Sequence, residues 1–195
     1  MRLFPSAIGL LLFLPLLAVG CASYEIDGLA GYSSVQADAP NGVRPFFDED
    51  AGFRLAANGS RSLFTPGFLR GEGGSGLRGN INVSGSRYTG GEGSELFVVS
   101  PQIGPSFRVA GFGLFAEAGA TAGGAYAQLD VGGEDDDEIS WAYRPYGRVG
   151  IVRDWFTLGV EGGYERTGLD FGLGAAGEDY ENWYVGVVLG LRLTK

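Results

Sequence analysis

The sequence predicts an all-β chain, an eight-stranded antiparallel up-and-down transmembrane β-barrel. Three observations carry this. Residues 183–193 alternate almost without error: Trp183, Val185, Val187, Leu189, Leu191 and Leu193 share one face, and Tyr184, Gly186, Val188, Gly190 and Arg192 share the other. Charges recur on the second face of several similar segments. The links between segments alternate between long polar stretches and tight turns. Successive side chains of a strand point to opposite faces. An apolar exterior over buried arginines therefore suits a barrel whose solvent is lipid.

The first strand is read at about 23–35, with Tyr24, Ile26, Gly28, Ala30 and Tyr32 facing out and Glu25 and Asp27 facing in. A Pro-, Asn- and Asp-rich loop fills 36–50. The second strand, about 51–58, sets Phe53, Leu55 and Ala57 against Arg54, Ala56 and Asn58. An irregular connection over 59–76 follows. The third strand, about 77–87, sets Ile81 and Val83 against Arg78, Asn80, Asn82 and Ser84. After a glycine-rich turn, the fourth strand covers about 95–109, with Phe97, Val99, Ile103, Phe107 and Val109 outside and Ser100, Gln102, Ser106 and Arg108 inside. Ala110-Gly111 reads as a tight turn. The fifth strand, about 112–129, carries Glu117 and Thr121 inward. An acidic loop over 130–138 precedes the sixth strand at about 140–152. Arg153-Asp154 is a second tight turn. The seventh strand is at about 155–166, a loop spans 167–179, and the eighth strand closes the chain.

With the amino end on the periplasmic side, strand parity places the long links outside, the asymmetry of transmembrane barrels. The connection over 59–76 is the exception, long on the periplasmic side. Aromatics gather at strand ends on the apolar face. Tyr24, Phe107, Phe112 and Phe156 mark one rim; Tyr32, Phe97, Tyr126, Trp141, Tyr164 and Trp183 mark the other. Amphipathic rings favour the headgroup level, so these read as two girdles.

The inward face holds Arg54, Arg78, Arg108, Arg144, Arg148 and Arg192, and Glu25, Asp27, Glu117, Glu161 and Glu165. That is six positive against five negative groups, in a chain whose net charge is −9. Buried charges must be paired. A near-neutral lumen network is self-consistent, and a barrel of eight strands is just wide enough to be filled by side chains. A plugged polar core is expected, with inward glycines leaving room for the long arginines. Pro101, Pro105 and Pro145 fall inside the proposed strands, where each removes a ladder hydrogen bond, so bulges or shorter strands are expected there.

Residues 1–20 read as an export signal: Arg2 is basic, and the apolar run 8–19 is shorter than the ~20 residues of a spanning helix. Residues 21–195 are then one barrel domain. Cys21, the only cysteine, excludes an internal disulfide and is the lipidation candidate. Leu17-Ala18-Val19-Gly20-Cys21 resembles the bacterial lipobox, with Ala18 where leucine is usual. Ordinary cleavage fits the same small residues, and both readings stand. Glycine is abundant, at 36 residues, but not periodic, which excludes collagen. The acidic balance excludes nucleic acid as a natural partner.

The chain also resembles the small outer-membrane barrels of the OmpA-transmembrane-domain, OmpX and Ail type. The resemblance rests on the alternation, the girdles, the asymmetric links and the closing segment Tyr184-Val185-Gly186-Val187-Val188-Leu189-Gly190-Leu191-Arg192-Leu193. It implies the outer membrane of a Gram-negative-type bacterium. Such barrels usually finish in an aromatic that the assembly machinery reads. This chain finishes Leu193-Thr194-Lys195, so a divergent bacterial lineage or a different assembly signal is implied.

Histidine is absent and Lys195 is the only lysine, which rules out a Ser-His-Asp triad and leaves a Ser-Lys pair only the last residue. Zinc-type sites lack ligands. Glu161 and Glu165 share a face, but pairing with arginine is the simpler reading than acid–base work. The expectation is a non-enzymatic protein without a cofactor. Glu134, Asp135, Asp136, Asp137 and Glu138 offer oxygen ligands to divalent cations without the spacing of an EF-hand, and runs of this kind are usually solvated. With Asp48, Glu49, Asp50, Glu178, Asp179 and Glu181 they form an acidic outer surface able to meet lipopolysaccharide through divalent ions. Gly71-Glu72-Gly73-Gly74-Ser75-Gly76 matches G-x-G-x-x-G without the strand-then-helix setting, so it reads as a connection. The sequons at Asn58 and Asn82 read as incidental. The functional expectation is a monomeric surface or structural barrel in outer-membrane lipid. A small ion-conducting pore and a soluble lipocalin-like periplasmic barrel with apolar faces inward remain the alternatives.

Overall fold

Alternation closes into a cylinder when every strand can pair on both sides. The computed structural model describes residues 24–37, 48–66, 74–90, 94–131, 133–169 and 178–193. Its strands are β1 (Tyr24–Ala37), β2 (Asp48–Phe64), β3 (Gly76–Thr89), β4 (Glu95–Gly111), β5 (Leu114–Val131), β6 (Glu134–Val152), β7 (Phe156–Leu169) and β8 (Glu178–Leu193). Each pairs antiparallel with its sequence neighbour, and β8 returns to β1 from Tyr24↔Leu193 to Ala37↔Tyr180. Closure leaves no unpaired edge, which is what a strand structure in hydrocarbon requires. No helix among the described residues is long and apolar enough to cross a membrane, which says nothing against crossing by strands.

The strands outrun the sequence expectations. β2 continues to Phe64 and β3 begins at Gly76, with Phe64 opposite Leu77, so the connection shrinks to 65–75. The hairpin of β5 and β6 continues to Val131↔Glu134, so the acidic run is strand rather than loop. The turn expected at Ala110-Gly111 lies at Phe112-Gly113, with φ of 55° and 78°. Positive φ at both central residues is the twist that two-residue hairpins favour. The turn expected at Arg153-Asp154 spans 153–155. The start of β1, the end of β8 and these turns share one end of the barrel, the turn end. The opposite end is the link end.

The three prolines form neither bulges nor strand ends. The β4–β5 register is the same before and after Pro101 and Pro105, and only the pairs at 100–101 and 104–105 are missing. The β6–β7 ladder likewise skips 144–145 and resumes in register. Each proline withholds a donor from one neighbour and pairs normally with the other.

Every strand shows hydrophobic side chains on its outer face: Ile26, Leu55, Ile81, Ile103, Leu114, Val149, Val160 and Val187 are all exposed. Trp183 and Leu189 are each 62% exposed, while Arg54 and Glu161 are 0% exposed. A soluble monomer rarely shows a continuous apolar surface of this kind. The arrangement inverts the soluble lipocalin-like alternative, which needs apolar faces around a central ligand.

The lumen is not polar throughout, contrary to the sequence expectation. At the link end Val35, Tyr88, Leu96, Val98, Ala125, Ala127, Leu129, Ala142, Leu169 and Tyr180 pack into one buried apolar cluster. Strand β5 shows the change within one parity. Glu117 and Thr121 face inward with Ala116 and Ala118 outside; higher up, Ala127 and Leu129 face inward with Gln128 and Asp130 on the other face. Polarity inverts along the strand: an apolar outer face surrounds the ion pairs, and Gln128, Asp130, Asp135 and Asp137 lie outside the small apolar core above them. The upper aromatic girdle sits at this change: Tyr126 falls between Ala125 and Ala127, and Phe97 between Leu96 and Val98.

Candidate functional site

Strand parity carries Arg54, Arg78, Arg108, Arg144, Arg148, Glu25, Asp27, Glu117, Glu161 and Glu165 into the lumen, all buried. Arg192 is at the turn-end rim with its side chain 11% exposed, its Nε 4.0 Å from Glu25. Five buried arginines thus face five buried carboxylates. Stripping water from an isolated ion costs several kcal/mol even after relaxation, so only a paired interior is tolerable.

The pairs lie in three tiers. Nearest the turn end, Arg108 donates through Nη1 and Nη2 to Glu25 at 2.6 and 3.0 Å and through Nε to Glu117 at 2.7 Å. Arg78 reaches Glu25 at 3.3 Å, and the Thr157 hydroxyl donates to it at 3.1 Å. In the middle tier Arg148 bridges Asp27, at 3.0 Å, and Glu161. Glu161 also accepts from Arg144 at 3.4 Å and from the Tyr184 hydroxyl at 2.7 Å. Above them Arg54 pairs with Glu165 at 2.7 Å, and Glu165 also accepts from Ser100 and Gln102 at 3.0 and 3.3 Å. Thr121 ties the upper tiers together: it donates to Gln102 at 2.6 Å and accepts from Arg144 at 3.2 Å.

Aromatic rings floor the guanidiniums. Arg54 lies 4.4 Å over Tyr184, Arg108 lies 4.7 Å over Phe115, and Arg144 and Arg148 flank Tyr146 at 5.0 and 5.2 Å. A desolvated cation over a ring face gains ~2 kcal/mol. Three inward glycines, Gly119, Gly150 and Gly163, lie against these rings, although the backbone of Leu158 is nearer still to Gly150. A Cβ at Gly163 would stand 2.7 Å from Cζ of Tyr184 and 2.8 Å from the Pro145 carbonyl; Gly119 and Gly150 stand at 2.9 Å from Tyr146 and Phe115. Gly163→Ala is therefore expected to cost ~1–3 kcal/mol by overpacking. Gly147→Ala, whose nearest neighbour is 3.9 Å away, is expected to leave the urea midpoint of the detergent-solubilised barrel unchanged.

The arrangement offers little to catalysis. Glu161 and Glu165 are each held by their own arginines and hydroxyls, so neither is placed to exchange a proton with a substrate. The acidic run is divided between two faces. As strand, it sends Asp135 and Asp137 to one face and Asp136 and Glu138 to the other, and no acidic metal cluster occurs among the described residues. The Glu134 side chain lies outside the described residues, as do residues 1–23 with the signal and Cys21, the loop 38–47, and Gly71-Glu72-Gly73. The Asn58 and Asn82 side chains are buried in the lumen, where no glycan has room. The tyrosines that floor the arginines went unread in the sequence as partners, although Tyr184 was on the inward face of the closing strand and Tyr146 shares the parity of Arg144 and Arg148.

No protein-family model and no curated protein matches the chain. Among solved structures it is similar to Neisserial surface protein A, with 15% identity over 86% of this chain and 96% of that one and a TM-score of 0.56. It is similar also to Ail, the attachment invasion locus protein of Yersinia pestis, with 17% identity over 88% of this chain and 99% of that one and a TM-score of 0.54. At such identities the likeness is one of fold. The chain has the closed eight-stranded barrel of the small outer-membrane proteins.

Proposed function

We propose that this chain is a non-enzymatic outer-membrane protein, a sealed barrel that anchors acidic strand ends at the cell surface. One observation carries the reading: charges neutralise one another inside a wall whose outer face is apolar on all eight strands, beneath an apolar cluster at the link end. With the turn end toward the periplasm, the cluster and the β5–β6 hairpin stand outside. Asp130, Asp135 and Asp137 then belong to an acidic rim. That rim meets anionic lipopolysaccharide through divalent cations and repels polyanions. Ail has been solved with the heparin analogue sucrose octasulfate; the charge of this rim does not suit such a ligand. The barrel acts as a monomer in outer-membrane lipid and has no nucleic-acid partner.

A conducting pore needs a continuous water path. Leu96, Leu129 and Tyr88, at 1% exposure or less, support a closed one. Cell fractionation with a heat-modifiability gel tests the proposal. The protein is expected in the outer-membrane fraction, migrating differently before and after boiling. Planar bilayers containing it are expected to show no steps above background. Salt-extractable protein contradicts the membrane assignment, and regular conductance steps contradict the sealed lumen.

A further inference from the structure

We infer that one wall of the lumen, formed by β1, β2 and β3, is a binding site for a small cluster of ordered water. Asp27 pairs in register with Asn58, and Asn58 with Asn82, so three short polar side chains occupy one rung of three neighbouring strands. Asn80 lies two residues from Asn82 on the same inward face of β3. All four side chains are at least 97% buried, their exposures being 3%, 3%, 2% and 0% for Asp27, Asn58, Asn80 and Asn82.

Each amide nitrogen is committed to the wall. Asn58 Nδ2 donates to Asp27 Oδ2 at 3.1 Å, Asn82 Nδ2 to the Ala57 carbonyl at 3.3 Å, and Asn80 Nδ2 to Ser106 Oγ at 3.0 Å and the Gly104 carbonyl at 3.2 Å. Those bonds fix the amides and leave their oxygens for the lumen. Oδ1 of Asp27, Asn58, Asn80 and Asn82 receives no donor among the described residues. Four buried acceptors without donors are costly, at ~1–3 kcal/mol each. The arginine–carboxylate bonds leave these oxygens out: Arg148 takes Asp27 through Oδ2, and Arg54 and Arg78 take Glu165 and Glu25 through Nη2 alone.

A hard cation and water both supply what four oxygens need. Charge decides between them. Five arginines already balance five carboxylates in the lumen, so an added cation stands uncompensated in a low-dielectric interior. Water brings donors without charge. Its oxygen also accepts, and Nε of Arg54 and Nε of Arg78 are the unpartnered donors of β2 and β3. A water with two to four such polar partners is the ordinary occupant of a polar interior site. The apolar cluster stops the water toward the link end.

Crystals of the whole barrel, diffracting well enough to show ordered solvent, test this. Waters are expected within ~2.7–3.2 Å of Asn58 Oδ1 and Asn82 Oδ1, and soaks in rubidium and strontium are expected to give no anomalous peak on this wall. In Asn82→Leu, the water at Asn82 is expected to be lost while the Arg148–Asp27 pair keeps its place. An anomalous peak at these oxygens shows a cation site and overturns the inference. So do four oxygens that meet protein donors directly, or a water that keeps its position in Asn82→Leu.

Discussion

Glu161→Gln is expected to destabilise the barrel by ~3–5 kcal/mol, the range for breaking a buried ion pair from one side. Glu161 holds Arg144 at 3.4 Å, bridges to Arg148 and accepts from Tyr184 at 2.7 Å. The substitution keeps shape and removes charge. Arg148 retains Asp27, whereas Arg144 loses its only carboxylate among the described residues and keeps Thr121 and two rings. Five buried guanidiniums then face four carboxylates. At a urea slope of ~1–3 kcal/mol/M, the unfolding midpoint in detergent falls by more than ~1 M. Removing both charges in Glu161→Gln with Arg144→Met restores most of the loss, since an apolar replacement of a whole pair is often neutral. Glu95→Gln is the control. Glu95 pairs with Arg87 at 2.7 Å on the surface, with side chains 47% and 64% exposed, and such pairs contribute ~0–1 kcal/mol. Equal effects of Glu161→Gln and Glu95→Gln contradict a sealed, low-dielectric lumen.

Val187→Arg is expected to cost ~2–4 kcal/mol in a bilayer, the cost of a lipid-facing arginine near the midplane. Val187 is 55% exposed and lies midway along β8, between the girdle residue Trp183 and the turn-end residue Leu193. Leu193→Arg, at the rim, is expected to cost ~0–1 kcal/mol, because the penalty falls with depth. Reversible unfolding of the barrel in lipid vesicles measures both. A neutral Val187→Arg removes hydrocarbon as the surrounding solvent of this face. A large effect at both positions points to local packing rather than depth.

The alternation of the closing strand was legible because its two faces meet two constant surroundings, an exposed apolar exterior and a paired interior. The same logic placed the arginines and carboxylates of β1–β7 in the lumen by parity alone. It failed where the surroundings change along the strand. Ala127, Leu129 and Leu96 keep the inward parity of Glu117 and Arg108 but are apolar, so a search for polar inward faces passed over them. The acidic run read as loop because Asp and Glu are poor strand formers; its pairing with β5 up to Val131↔Glu134 overrides that preference. Phe112 hid the turn, since no aromatic signals a positive φ and this one adopts 55° beside Gly113. The prolines looked like strand breakers because a sequence does not show which neighbour a missing N–H would have faced. The water-binding wall was not legible at all. It depends on which end of three asparagine amides is spent on the sheet.

Cysteine scanning of residues 183–193 in the Cys21→Ser background, with a thiol label quenched by nitroxide-bearing lipids, tests most directly which way the apolar faces look. Strong quenching is expected at 185, 187, 189 and 191, and none at 186, 188 and 190. Quenching on the even positions, or uniform wetting of the odd ones by aqueous quencher, contradicts a barrel with hydrocarbon outside and its ion pairs sealed within.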